Sequence, residues 1–485
     1  MLLKRFFETK LAQTSYLIGC VATGEAIVID PNRDVDQYIK AAEAEGVKIT
    51  HVTETHIHAD YVSGSRELSA RTGAKLFLSD EGDANWKYAF AAEAGATLVK
   101  DGDRITVGNI LLDVVHTPGH TPEHISFLVT DSAGANLPIA VASGDFIFVG
   151  DVGRPDLLEK AANIKGTMEV GARQLYASLQ RFASQPDWLQ VWPGHGAGSS
   201  CGKGISAIPH STLGYERRFN WAFQAKTEAE FVAAVLAGQP EPPKYFAEMK
   251  RVNKEGPRIL HGFHRPELLQ VDALDAHLLA SDGGRVFRPG KELVIDTRSA
   301  AAFAAGHVPG TINIPLNSSF TTWAGWMVPY TQDFFLIVDD PASAIDTAVR
   351  DLAMIGLDRI TGYFDAGVID AWAAGERPLG TVPQVTVQDL QASLGHRAVT
   401  LLDVRNQNEW NGGRIAGALH INLGYLADHL ADIPRDKPIV VQCAAGARSS
   451  IGASVLKAHG FDNVINLVGG IGAWRKAGLP VDSTT

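Results

Sequence analysis

The chain has 485 residues, enough at roughly 150 per domain for about three domains and too many for one small module. It is 45% hydrophobic and 20% charged, and 43 Lys+Arg against 54 Asp+Glu give a net charge of −11, which speaks against a nucleic-acid or anionic-membrane binder. Three widely spaced cysteines, Cys20, Cys201 and Cys443, leave no basis for a disulfide framework or a cysteine-only zinc site, so a reducing cytoplasm is expected. Charges interrupt the apolar start MLLKRFFETK, and no signal peptide is expected. The longest stretch without Asp, Glu, Lys, Arg or His, 308–332, carries Pro309, Pro315 and Pro329 and is not expected to span a membrane.

In chain order, SYLIG and EAIVID read as strands about the turn-like CVATG, followed by an amphipathic helix near 34–45 and the short strand HVTET. AKLFLS, RITVGN, ILLDVVH, HISFLV and IAVASGD read as further strands, and 170–183 as a helix. This mixture predicts two sheets with covering helices. The polar, Pro-containing GQPEPPKYFAEMKRVNKEGPRI closes a first domain at 1–250, with 251–275 expected to be a connector. An internal repeat follows: ELVIDTRSAAAFAAGHVPGTINIPL matches TLLDVRNQNEWNGGRIAGALHINL without a gap. Asp296 answers Asp403, Arg298 answers Arg405, Phe303 answers Trp410 and Gly310 answers Gly417. Two copies of an α/β module with a parallel sheet are expected, at 276–380 and 381–485.

Ten of the sixteen histidines precede residue 265, which directs the search for a metal to the front of the chain. HVTET runs into His56-Ile57-His58-Ala59-Asp60-Tyr61, and residues two apart on extended backbone share a face, so His56 and His58 are expected to converge on one ion. ILLDVV runs into His116-Thr117-Pro118-Gly119-His120, IAVASG into Asp145, and LQVWPG into His195. Four strand ends that deliver imidazoles and a carboxylate make a stronger signal than any one of them.

THIHADYVSG, HTPGHTPEHISF, GDFIFVGDVGRPDL and PGHGAGSSCGK resemble the metallo-β-lactamase superfamily and, within it, the persulfide dioxygenases, over residues 1 to about 250. The resemblance implies an αββα fold and one Fe(II) per chain held by His56, His120 and Asp145, with zinc the less favoured ion. Such a two-histidine, one-carboxylate face leaves positions open for a persulfide sulfur and dioxygen. The superfamily's dinuclear hydrolases continue Asp-His where this chain has Asp60-Tyr61, and a phenol of pKa about 10 is a poor metal ligand, which favours one metal over two. His58, Asp60, Tyr61 and His195 are then expected to line the pocket or brace the ligands, with simple packing the alternative for Tyr61. Arg154 with Asp156, and Arg217 and Arg218, are expected either to shape the entrance and meet substrate carboxylates or to form structural ion pairs. Cys201, in the Gly-rich turn after His195, is expected near the metal mouth, either forming a mixed di- or trisulfide with substrate or remaining inert. Cys20 has no assigned role.

In the second copy, KPIVVQ leads into Cys443-Ala444-Ala445-Gly446-Ala447-Arg448 and a helix through His459. Backbone N–H groups of a strand-to-helix turn hold an anionic sulfur, and Arg448 is expected to add positive charge. CxxGxR preceded by LLDVR and GRIAGALHINL resembles the rhodanese family, which implies that Cys443 carries sulfane sulfur as a persulfide. In the first copy FFLIVDD offers Asp339 or Asp340 where the cysteine is expected, so 276–380 is expected to be rhodanese-like without transferase chemistry, a spacer or docking surface.

Together these resemblances imply a dioxygenase that converts a low-molecular-weight persulfide and O2 to sulfite, joined to transfer of sulfane sulfur through Cys443 that makes or uses thiosulfate. Neither nucleic acid nor membrane is an expected partner, and a homo-oligomer is left open. A glyoxalase-type zinc thioester hydrolase and a non-catalytic persulfide sensor or carrier are the alternatives.

Overall fold

Strand-period apolar residues in the first 212 positions pair into two six-stranded sheets. In this computed structural model, which describes residues 1–157, 159, 166–279, 292–396 and 398–482, the chain forms two compact units, residues 1–263 with 353–356 and residues 264–352 with 357–485. The first sheet runs Leu2–Glu8, Gln13–Cys20, Glu25–Ile29, Lys48–Thr53, Lys75–Ser79, Thr97–Val99, antiparallel at its start and parallel after Glu25–Ile29. The second runs Ser211–Thr212, Gln190–Pro193, Ala140–Gly144, Ile125–Asp131, Ile110–His116, Arg104–Val107.

The sheets face each other through one core that joins Tyr16, Ile18, Ile27 and Ile29 to Leu112, Val114, Phe127 and Trp192. Burying each such aliphatic side chain contributes about 1.5–3 kcal/mol. Tyr38 of the helix Asp36–Ala44 and Leu68 of the helix Ser65–Thr72 cover the outer face of the first sheet, and Leu175 and Leu179 of Thr167–Phe182 cover that of the second. These layers are the expected αββα arrangement. No helix among the described residues is long and apolar enough to cross a membrane.

The expected connector at 251–275 is in part regular structure. Residues 245–255 form a helix with Phe246 and Met249 buried, and the first unit extends to Phe263. Beyond it, Glu267–Leu268 pairs in parallel with Ile360–Asp365 as an edge strand of the next sheet. The Pro and charge content that suggests a linker reflects helix termini and exposed faces.

The second unit holds two five-stranded, all-parallel sheets with matching order. These are Glu267–Leu268, Ile360–Asp365, Phe334–Val338, Leu293–Asp296, Ile312–Asn313, and then Gln384–Val385, Val464–Leu467, Ile439–Gln442, Thr400–Asp403, Leu419–His420. The repeat extends to side chains. Arg298 Nη2 donates to Asp296 at 2.6 Å and to Gly306 O at 2.9 Å, and Arg405 makes the same bonds to Asp403 and Gly413 at the same distances.

Register corrects one expectation. Asp296 pairs with Ile337 as Asp403 pairs with Gln442, so Val338, not Asp339 or Asp340, occupies the position of Cys443. Asp340 is a turn cap that accepts from Ala342 N (3.0 Å) and Ser343 Oγ (2.7 Å).

The helix Ala447–Ala458, which follows Cys443, is buried at nearly every position from Ser449 on. Its Ser454 hydroxyl accepts from the N–H of Asn313, an edge-strand residue of the other sheet, at 2.9 Å, and both residues are fully buried. The copy without a cysteine is thus one wall around the helix of the copy that has it. Ser454→Val leaves the Asn313 N–H without its acceptor and is expected to cost about 1–3 kcal/mol, read as a lower urea midpoint of the full-length protein.

Candidate functional site

Four strand ends of the first unit meet in one buried pocket. Lys48–Thr53 runs into the loop that carries His56 and Asp60, and Ile110–His116 into the turn before His120. Ala140–Gly144 ends at Asp145, and Gln190–Pro193 leads to His195. Ligand atoms of His56, His120 and Asp145 lie within 4.8 Å of one another, as do those of Asp60, His195 and Cys201, and all six residues are buried.

Backbone acceptors set which ring nitrogen carries the proton. His120 Nδ1–H donates to Arg154 O (2.9 Å) and His195 Nδ1–H to Ala12 O (3.1 Å), so each neutral ring turns an unprotonated Nε2 to the pocket. Ala12 holds a left-handed φ of 51°, a cost of about 1–2 kcal/mol, and its carbonyl also accepts from Gly196 N (2.9 Å). Burial, with the neighbouring His58, holds His56 well below its ordinary pKa, and burial lowers His120 against the pull of Asp145. Neutral imidazoles are the form that binds a metal.

Around Asp145 imidazole nitrogens and a second carboxylate converge. His120 Nε2 lies 3.4 Å and His56 Nε2 4.0 Å from its Oδ2, and His195 Nε2 lies 3.5 Å from its Oδ1 and 3.3 Å from Asp60 Oδ2. Both oxygens of Asp145, both of Asp60, and His195 Nε2 are buried without a hydrogen-bond partner. Lone pairs facing lone pairs away from water are costly unless a cation sits between them, so these residues fit a metal ion.

His58 does not join His56. The strand ends at Thr53, so the two-residue period does not extend to 56–58, and His58 Nε2 turns to Asp30 Oδ1 at 3.1 Å. Burial pulls its pKa down, but the Asp30 carboxylate outweighs this and raises it to about 9. Tyr61 is fully buried, its ring packed on His58 and its hydroxyl donating to Asp30 O at 3.4 Å; burial and nearby carboxylates keep it a neutral phenol. Arg154 meets no entrance. It is fully buried, forks onto Asp156 at 2.7 Å through Nε and Nη2, and donates to Ser200 O, so it braces the turn before Cys201. Arg217 is likewise paired, with Asp187 and Ala183 O. Cys201 is 1% exposed, and burial with Asp60 and Asp145 raises its thiol pKa well above the ordinary value, which disfavours the thiolate.

Three further residues shape the pocket. Asp145 N–H donates to His124 Nε2 (3.0 Å) while His124 Nδ1 bonds Thr117 Oγ1 (2.8 Å), which aims the carboxylate-bearing turn. This third histidine of HTPGHTPEH was legible as part of a cluster but not as a brace. Asp30, at the end of EAIVID, receives His58. Asn253, from the helix 245–255, donates through Nδ2 to His58 O (2.8 Å) and Tyr61 O (2.7 Å) and accepts from Ser63 N (2.9 Å). One side chain thus pins both ends of the site loop, and no local motif announces it.

In the second unit Cys443 sits at the end of Ile439–Gln442, 1% exposed, its Sγ accepting from Gly446 N at 3.1 Å. Gly446 has φ 101°, which favours glycine there and turns this N–H to the sulfur. Arg448 is paired, yet its charge still acts on Cys443. Its two terminal nitrogens bond the two oxygens of Glu409 at 2.6 Å each, and Glu409 is itself fixed in a capping box with Asn406. The Gly446 N–H, the Ser449 hydroxyl at 3.5 Å and the paired Arg448 are what the loop sets beside the sulfur.

Residues 9–195 match the metallo-beta-lactamase superfamily model and residues 386–477 the rhodanese-like domain model. A crystal structure of a metallo-beta-lactamase from Staphylococcus aureus is 43% identical, covers 75% of this chain and 99% of that one, and superposes with a TM-score of 0.65. Hydroxyacylglutathione hydrolases of Rhodospirillum rubrum and a Polaromonas species are 32% and 36% identical, each over 37% of this chain. The chain spans only 60% and 61% of the length of these two relatives.

The Glu409–Arg448 pair allows a direct test of the loop. Burial raises the Glu409 carboxyl, but the Arg448 hydrogen bonds outweigh this and hold it below the ordinary carboxylate range. Glu409→Gln is expected to cost about 1–2 kcal/mol near neutral pH, between exposed and buried pairs. A depressed folded-state pKa gives stability that is present above the unfolded value of about 4.3 and lost as pH falls through the folded one. The urea midpoints of the two proteins therefore converge in acid.

Proposed function

Because the chain belongs to the metallo-β-lactamase superfamily and ends in a rhodanese-like domain, we propose that it oxidises a low-molecular-weight persulfide at one Fe(II) and moves sulfane sulfur through Cys443 in the cytoplasm. The observation that carries the metal part is the buried set of unpartnered acceptors around Asp145. His56, His120 and Asp145 would hold Fe(II), which would supply open positions for a persulfide sulfur and dioxygen. The overall reaction is RSSH + O2 + H2O → RSH + H2SO3, in which the terminal sulfur is oxidised and dioxygen reduced.

The chain's own residues prepare the pocket. Ala12 O and Arg154 O keep protons on the outward nitrogens of His195 and His120. Buried Phe148, edge-on to His195, and buried Tyr61, packed on His58, exclude water from the walls. In the second step, the outer sulfur of a Cys443 persulfide bonds to sulfite while its bond to Sγ breaks, giving thiosulfate and the Cys443 thiolate; the reverse step loads the cysteine. Gly446 N–H holds the returning sulfur. The first repeat copy, with Val338 at the cysteine position, takes no part in transfer.

A second reading is a zinc thioester hydrolase. Its support is the adjacent trio Asp60, His195 and Cys201 together with the hydroxyacylglutathione hydrolase relatives. One iron per chain in the purified protein favours oxidation, and two zinc ions favour hydrolysis.

Protein loaded anaerobically with Fe(II) and glutathione persulfide is expected to consume O2 on its admission and to yield sulfite or thiosulfate. Absence of oxygen uptake overturns the dioxygenase reading, and leaves a persulfide sensor or carrier if persulfide still binds. Cys443→Ser is expected to leave oxygen uptake within about two-fold of the native rate and to abolish sulfur transfer from persulfide to sulfite; loss of both activities contradicts two separate sites.

A further inference from the structure

His120 and His195 each meet a carbonyl at Nδ1, which can only accept, but His56 meets a hydroxyl: its Nδ1 lies 3.0 Å from Thr55 Oγ1. A hydroxyl either donates or accepts, so this contact alone leaves the His56 proton on either nitrogen. The residue behind it decides. Thr55 Oγ1 donates to Asp30 Oδ2 at 2.9 Å, and the Thr55 backbone N–H bonds Asp30 Oδ1 at 2.6 Å. A carboxylate accepts only, so the single hydroxyl hydrogen goes to Asp30, and what Thr55 presents to His56 is a lone pair.

We infer that Thr55 is a positioning residue of the metal centre: by handing its own proton to Asp30 it requires one on His56 Nδ1 and leaves the His56 Nε2 lone pair facing Asp145. The opposite proton order strips Asp30 Oδ2 of its hydroxyl donor. It also points an Nε2–H at Asp145 Oδ2 across 4.0 Å, too far for a hydrogen bond.

The surroundings are built around this chain of contacts. Asp30 is 3% exposed and holds a left-handed φ of 52°, a strained conformation that aspartate tolerates better than most residues. Its carbonyl accepts from Gln13 Nε2 at 2.8 Å, which fixes the backbone that presents the carboxylate. On the far side, Gly144 has φ 50°, and a Cβ there would lie 2.5 Å from Thr55 Oγ1. The hydroxyl is therefore enclosed by Asp30, His56 and the glycine that precedes Asp145.

The inference rests on the metal centre of the reading above but not on persulfide oxidation. Thr55→Val keeps the side-chain shape and removes the hydroxyl, and Thr55→Ser keeps the hydroxyl. In metal-free protein labelled with 15N at the histidine rings, two-bond 15N–1H correlation spectra are expected to show His56 protonated at Nδ1 in the native protein and in Thr55→Ser. Thr55→Val is expected to show a mixture of both tautomers. Co(II) affinity, measured by titration, should fall about 10-fold in Thr55→Val and stay within about 3-fold in Thr55→Ser. An unchanged His56 tautomer with unchanged Co(II) affinity in Thr55→Val overturns the inference, and so does an equal loss of affinity in both variants. Should the valine variant melt below the measuring temperature, Thr55→Ala carries the same test. Neither readout uses persulfide or oxygen, so a failure here and a failure of the dioxygenase reading are told apart.

Discussion

Everything in the first unit answers to one electrostatic problem: a carboxylate with no hydrogen-bond partner, buried among imidazoles. Asp145 and Asp60 together bring four unpartnered oxygens into a pocket sealed from water, and His195 adds an unpartnered nitrogen. Folding tolerates such a group when a cation is available to bind, because the favourable term comes from the ion rather than from the protein. Around this unbalanced centre the protein spends its balanced contacts. Ala12 holds His195, His124 holds the turn of Asp145, Arg154 holds His120, and Asn253 holds the loop that carries Asp60.

The second unit solves a different problem with a duplicated frame. Both copies keep the Asp–Arg fork that ties the first strand of the repeat to the following turn, down to matching distances, so the fork belongs to the frame and not to chemistry. The copies diverge at one strand end, where Val338 stands for Cys443. A thiol there needs a turn with inward N–H groups and a covered helix behind it. The other copy helps to cover that helix, which gives the cysteine-free sheet a structural task.

Much of this was legible before any coordinates. Strand-period runs located the sheets, four strand ends located the pocket, and the gapless match of two segments located the duplication. What the sequence hid was register and direction. Period-two reasoning put His56 and His58 on one face, but the strand stops at Thr53 and the loop turns His58 away to Asp30. Asp339 and Asp340 looked like the replacement for Cys443 because pairing partners, not neighbours in sequence, define the equivalent position. Arg154 with Asp156 read equally as a substrate clamp or as a structural ion pair, and burial of both decides for the pair. Asn253 carried no signal at all, since its three bonds reach 190 or more residues back along the chain.

That long reach gives the helix 245–255 an importance out of proportion to its composition. All the candidate ligands but Cys201 lie before residue 196, so a fragment cut there holds every imidazole and carboxylate of the two buried trios. Such a fragment has nonetheless lost the amide that ties His58, Tyr61 and Ser63 together, and three backbone groups of the site loop are left to find water. The metal centre is therefore a property of a longer stretch than its motifs span: the ligands can be copied from the front of the chain, but the clasp that holds their loop still has to be carried in from behind.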